Sequence, residues 1–240
     1  MSSKLGLIRT GCFAFSGVLF LSVVLIAQDK EKFAQAQQQN KEALKQYTWK
    51  SRTELKMKGE SKNVTLEQMR YDLDGKLQKT PLTGGAEQQA EETGGRRRGR
   101  RRGSLKGKIV EKKKAEFAQM MKELGQLVAS YAHVPPEKMQ AFLKGAMVTP
   151  GEGDNAGTLR IQGGDVLQEG DAMTIWINPQ TSMMHRVEIL TYYEENAVKS
   201  LSEFRSVSGG PTYQARTTLL YPEKEIELIV ENYDYAHVGS

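Results

Sequence analysis

Residues 47–58 read YTWKSRTELKMK, and their alternation decides the fold. Tyr47, Trp49, Ser51, Thr53, Leu55 and Met57 share one parity, and Thr48, Lys50, Arg52, Glu54, Lys56 and Lys58 the other. Successive strand side chains point to opposite faces, so this is the pattern of a long antiparallel strand with one wet face and one core face. Gly59–Lys62 supplies a turn. Asn63–Leu73 then predicts a second strand with Met69, Tyr71 and Leu73 on one side. Asp74-Gly75 is a hairpin signal, and Lys76–Leu82 is short enough for a third strand.

Outward from this stretch the period changes. Upstream, Asp29–Gln46 is rich in Gln, Lys, Glu and Ala, with a thin apolar stripe through Phe33, Ala36, Ala43 and Leu44, which predicts a helix. Downstream, Phe117, Met120, Met121, Leu124, Leu127, Val128 and Tyr131 recur at helical spacing, the signature of one apolar face. Pro135-Pro136 opens a shorter helix with Met139, Phe142, Leu143 and Met147 inward. From Gly157 the chain reads as strands cut by regular turns. The expected strands are 158–162, 165–168, 172–178, 183–194, 197–207, 212–221 and 224–235. Loops this short make neighbouring strands antiparallel. The fold class is therefore α+β: one large antiparallel sheet covered by helices.

The N-terminus bears on the compartment. Residues 1–10 carry Lys4 and Arg9 and no acid, residues 11–27 carry no charge, and a very polar stretch begins at Gln28. This is the layout of a secretory signal over residues 1–27, with an uncleaved inner-membrane anchor as the alternative. Cys12, inside the apolar run, is the one cysteine. The rest of the chain can therefore form no disulfide and no thiolate metal site, and an exported domain without crosslinks relies on its core. The reading is a periplasmic monomer.

Net charge is +5, but eleven basic residues against one acid fall between Gly94 and Lys114, so the remainder sums to −5. Within that segment GGRRRGRRRG contributes Arg96, Arg97, Arg98, Arg100, Arg101 and Arg102. Residues 82–116 contain no aromatic side chain for base stacking, so a nucleic-acid partner is not expected. Two readings stay open: a solvated Gly/Arg loop, or a contact with an anionic membrane or lipopolysaccharide surface. His133, His185 and His237 lie far apart without metal-ligand spacing, and no nucleophile elbow or phosphate loop is present. The sequence predicts no enzyme, no cofactor and no metal. The methionines of the helical segment either fill the core or offer a pliable surface to an irregular apolar ligand.

Three stretches resemble the LolA/LolB-like outer-membrane lipoprotein carrier (lipoprotein-sorting) superfamily: YTWKSRTELKMKGESKNVTLEQMRYDLDGKL at 47–77, MTIWINPQTSMMHRVEI at 173–189 and YPEKEIELIVENYDY at 221–235. The second pairs a Trp strand with an Asn178-Pro179-x-Thr181 turn and a return strand bearing Arg186. The chain departs in its Gly/Arg segment and in Ser182, where that turn commonly has Gly. The resemblance implies an incomplete antiparallel barrel around an apolar cavity, closed by helices and holding acyl chains. The lining it implies is Trp49, Leu55, Met57, Met69, Tyr71 and Ile175 from strands, with Met120, Met121, Leu124, Met139, Phe142 and Leu143 from the helical lid. Sheltering about ten methylenes is worth roughly 8 kcal/mol, about micromolar affinity. On this reading the chain divides into a signal (1–27), an N-terminal helix with the first strands (28–82), a disordered Gly/Arg-rich loop (83–107), a helical lid (108–149) and a strand meander (157–237). It acts as a carrier- or chaperone-like protein for lipid or lipoprotein acyl chains. The rival reading is a structural or interaction module of the envelope with a solid core.

Overall fold

Alternating side chains do form one sheet. The computed structural model describes residues 30–72, 74–82 and 104–239. Ten strands join in the order β3-β2-β1-β10-β9-β8-β7-β6-β5-β4. They are β1 (Tyr47–Met57), β2 (Glu60–Tyr71), β3 (Leu77–Pro81), β4 (Met147–Pro150), β5 (Leu159–Gly164), β6 (Ala172–Ile177), β7 (Met184–Tyr193), β8 (Asn196–Ser206), β9 (Thr212–Tyr221) and β10 (Ile226–His237). Every neighbour is antiparallel, and β1 pairs with β10 along its whole length, joining the two ends of the chain. β3 and β4 remain as separate edges, so the sheet is an open one and not a closed barrel. The helices among the described residues are α1 (Lys30–Leu44), α2 (Ser104–Ser130) and α3 (Pro136–Gly145).

The register sorts the two faces. Leu55, Leu228, Leu219, Ser200, Ile189 and Met173 stand in one cross-strand row on the helix-covered face. On the opposite face a row runs Arg52, Glu231, Arg216, Glu203, Arg186, Trp176 and Arg160. There Arg52 and Arg216 both reach Glu231 at 3.3 Å, and Arg186 meets Glu188 at 2.6 Å. The guanidinium groups of Arg160 and Arg186 lie over the Trp176 ring, 5.9 and 5.4 Å from its centroid, which buries an indole on a wet face.

On the covered face the apolar side chains form two clusters. One gathers Tyr131, Phe142, Ile161, Val166, Met173, Ile175 and Ile189 under the α2–α3 junction. Here Gly163 lets helix and strand touch, since a Cβ at that position would come within 3.0 Å of the Phe142 ring. The other gathers Leu124, Val198, Leu219, Tyr221 and Ile226 under α2.

The expected strand at 165–168 is instead a turn, because Asp171 captures the amide N–H groups of Val166, Leu167 and Gln168 that a strand would have paired. β4 is an edge strand the sequence did not announce, and α2 begins at Ser104, within the stretch expected to be loop. In the 178–183 turn, Asn178 Oδ1 accepts from the amides of Gln180 and Thr181. Ser182 sits there at φ 57°, a conformation that favours glycine. The expected signal at 1–27, Leu73 and the arginines Arg96–Arg102 lie outside the described residues.

Candidate functional site

The site is built from the helical cover and the strand ends beneath it. α2 carries its apolar stripe onto the sheet, and polar pins fix it at two levels. At its C-terminal end Tyr131 Oη donates to Asp171 Oδ2 at 2.5 Å and lies 2.8 Å from Thr191 Oγ1. Asp171 also accepts from the three amides of the 166–168 turn, and Gln168 Nε2 donates to Thr191 Oγ1 at 2.5 Å. Burial by itself raises the Asp171 pKa. The hydrogen bonds from Tyr131, Leu167, Val166 and Gln168 outweigh it and hold the carboxyl below its ordinary value. The same burial, with Asp171 adjacent, pushes the Tyr131 phenol upward. Midway along α2, Tyr193 Oη donates to Glu123, and that bond, with some burial, lifts the phenol to about 12.

N-terminal to Glu123 the cover opens. A solvent-exposed cleft of about 520 Å³ lies between α2 and the β1–β2 and β9–β10 turns. Met57, Phe117, Met120 and Ile226 form its apolar wall, and Lys58, Glu116, Glu223, Lys224 and Glu225 its charged rim. The two turns hold each other: Lys58 N donates to Glu225 O at 2.8 Å, and both residues take left-handed conformations, at φ 56° and 51°. An apolar wall with charges at one mouth suits a ligand with a greasy tail and a polar head.

The twelve residues expected to line a cavity fall into four places. Met57 and Met120 line the cleft. Leu55 and Met121 pack beside them on the second cluster, at whose centre Leu124 has no exposure. Ile175 and Phe142 are buried in the first cluster, with Met139 and Leu143 against it. Trp49, Met69 and Tyr71 gather toward the opposite end of β1 and β2, where Trp49 stacks on Tyr235 (5.3 Å, 4°) and tilts against Tyr71 at 5.5 Å. Sequence reasoning placed Phe117 on the apolar face of the helix but not in the lining, and missed Ile226 as a wall residue and the whole rim. The only signal for either was the pair of turns at 58–59 and 222–225, whose mutual contact is tertiary.

A second open cleft, of about 390 Å³, lies between α1 and the 207–212 turn, lined by Ala36, Asn40, Tyr47, Met183 and Gly209–Pro211 among others. Asn40 bridges it by exchanging two hydrogen bonds with the Thr212 backbone (2.7 and 2.6 Å), an anchor for α1. The three histidines are exposed and far apart, and the described residues hold no cluster of three or more His, Cys, Asp or Glu fit for a metal. Among the described residues, no helix is long and apolar enough to cross a membrane.

No family model and no curated protein matches the chain in sequence. Among solved structures it is similar to a DUF1329 family protein from Desulfovibrio piger, at 7% identity and a TM-score of 0.36 over 88% of this chain and 94% of that one. It is also similar to a LolA superfamily protein from Nitrosomonas europaea, at 8% identity and a TM-score of 0.35 over 86% and 94%. At such scores the likeness carries nothing about ligand or activity.

Proposed function

We propose that the protein is an exported, non-enzymatic binding protein of the periplasm that shelters an acyl chain of a lipid or lipid-modified protein. The observation that carries this reading is the cleft of about 520 Å³ beside Met57, Phe117, Met120 and Ile226, apolar within and charged at the rim. The tail enters between α2 and the strand ends, and the head group stays among the rim charges, Lys58 and Lys224 with Glu116, Glu223 and Glu225. Because Leu124 and its neighbours fill the space further in, a longer tail is accommodated only as α2 lifts from the sheet. Met120 and Met121 suit that movement, since unbranched thioether side chains repack at low cost.

The filled clusters also favour a second reading, an envelope scaffold with a solid core. Native mass spectrometry of the protein from Gln28 onward, with and without added palmitate, separates the two. A stoichiometric fatty-acid adduct that disappears in Met120→Glu supports the carrier. A clean apo species that ignores palmitate leaves the scaffold.

A further inference from the structure

The N-terminal half of α2 projects past the sheet. Every residue from Ile109 to Glu116 is exposed, about 12 Å of helix that meets the rest of the molecule only where Glu116 reaches the cleft rim. Yet its pattern is not that of a solvated helix. Ile109 and Val110 precede Met120 and Met121 by eleven residues each, about three turns, so they continue the stripe that further along covers the sheet. Both are large apolar side chains left more than half exposed, at 56% and 54%. Lys113 lies within that stripe, with Lys112 and Lys114 to either side, all three exposed. Glu111 points to the opposite side, and Glu116, at the cleft rim, is 3.8 Å from Lys112. Across residues 106–116 five lysines stand against two glutamates.

We infer that this projecting half-helix docks the protein on an anionic phospholipid surface. Ile109 and Val110 enter the boundary between head groups and acyl chains, and the lysine stems lie along it with their ammonium groups among the phosphates. The charge is what selects this occupant: a second copy of the same basic helix would repel it, whereas a negative leaflet attracts each lysine. The sequence adds to the attraction, since the six arginines at 96–102 precede the helix directly. Glu116, Phe117 and Met120 belong to the same helix and to the cleft, so docking sets the cleft mouth at the lipid surface. The inference stands without the acyl-binding reading, because it needs only the surface.

The test is vesicle co-sedimentation of the protein from Gln28 onward, which contains every described element, using phosphatidylcholine vesicles with and without phosphatidylglycerol. Binding is expected only with phosphatidylglycerol. Lys112→Gln/Lys113→Gln/Lys114→Gln should weaken it about a hundredfold, and Ile109→Ser/Val110→Ser roughly tenfold. All these side chains are exposed, and unchanged circular dichroism confirms that the variants fold. The arginine run is the same in every variant, so the differences report the helix. As a second readout, Val110→Trp should shift its emission to the blue with anionic vesicles alone. Binding that ignores both sets of substitutions overturns the inference. So does a parent protein that light scattering shows to be a dimer and that Ile109→Ser/Val110→Ser makes monomeric without changing vesicle binding.

Discussion

The two apolar clusters under the helical cover are made of similar residues but held differently. Beneath the α2–α3 junction, Tyr131, Asp171, Thr191 and three backbone amides form a closed polar network inside the core, and Phe142 sits tight over Gly163. Further along α2, Leu124 clusters with Val198, Leu219, Tyr221 and Ile226, with Met57, Met120, Met121 and Phe117 packed against them, and the pin is a single Tyr193–Glu123 bond. A buried, fully satisfied network specifies one arrangement, and since three methionines belong to each cluster (Met139, Met173 and Met184; Met57, Met120 and Met121), the network is the difference. The first cluster is thus pinned by a buried network and the second by one bond at its edge, with the cleft beside the second.

The largest effect should come from cutting the network. Asp171→Ala leaves three amides without their acceptor, one buried and two half-buried, and removes one of the two partners of the Tyr131 hydroxyl; it should cost about 3 kcal/mol, read as a fall in urea midpoint. If it costs no more than a surface substitution, the contrast between clusters fails. Leu124→Ala, in the centre of the second cluster, should cost about 3 kcal/mol, toward the low end of the range for such truncations, because the partly buried Met57, Met120 and Met121 can collapse into the space.

The charge on Asp171 adds a pH dependence. Its folded pKa lies below its unfolded value of about 3.9, so its contribution is complete above that pH and is lost as pH falls through the folded pKa. Acid unfolding monitored by tryptophan fluorescence should show this loss, and Asp171→Asn should flatten it.

Two smaller effects sharpen the picture. Ser182→Gly relieves a left-handed serine in the 178–183 turn and should stabilise by about 1 kcal/mol. Ser200 Oγ is buried without a hydrogen-bond partner among the described residues, in register with Ile189 and Leu219. Ser200→Ala should therefore gain up to about 1 kcal/mol in thermal denaturation while the cover stays closed. A loss would mean that the hydroxyl is wetted and that this part of the core opens to water.

The twelve-residue alternation at 47–58 was legible because strand parity is local: Trp49, Leu55 and Met57 face one way whatever surrounds them. The helical stripe from Phe117 to Tyr131 was legible for the same reason. The 165–168 segment was misread because its apolar Val166 and Leu167 look like strand, while the carboxylate that takes their amides comes from Asp171, beyond a turn. The candidate site was half legible. Met57 and Met120 belong to readable elements, but Ile226, Lys58 and Glu225 meet them only because β1 pairs with β10.

By itself, then, the amino-acid order determined the α+β class, the antiparallel meander, the helical cover and the concentration of basic charge, since each depends on periodicity or composition over short distances. The tertiary structure alone decided that the inward side chains pack into two filled clusters, that the open volume lies at their rim, and that Ile109 and Val110 run past the edge of the sheet. Those outcomes depend on how far a helix extends over strands distant in sequence, and a one-dimensional pattern does not record that overlap.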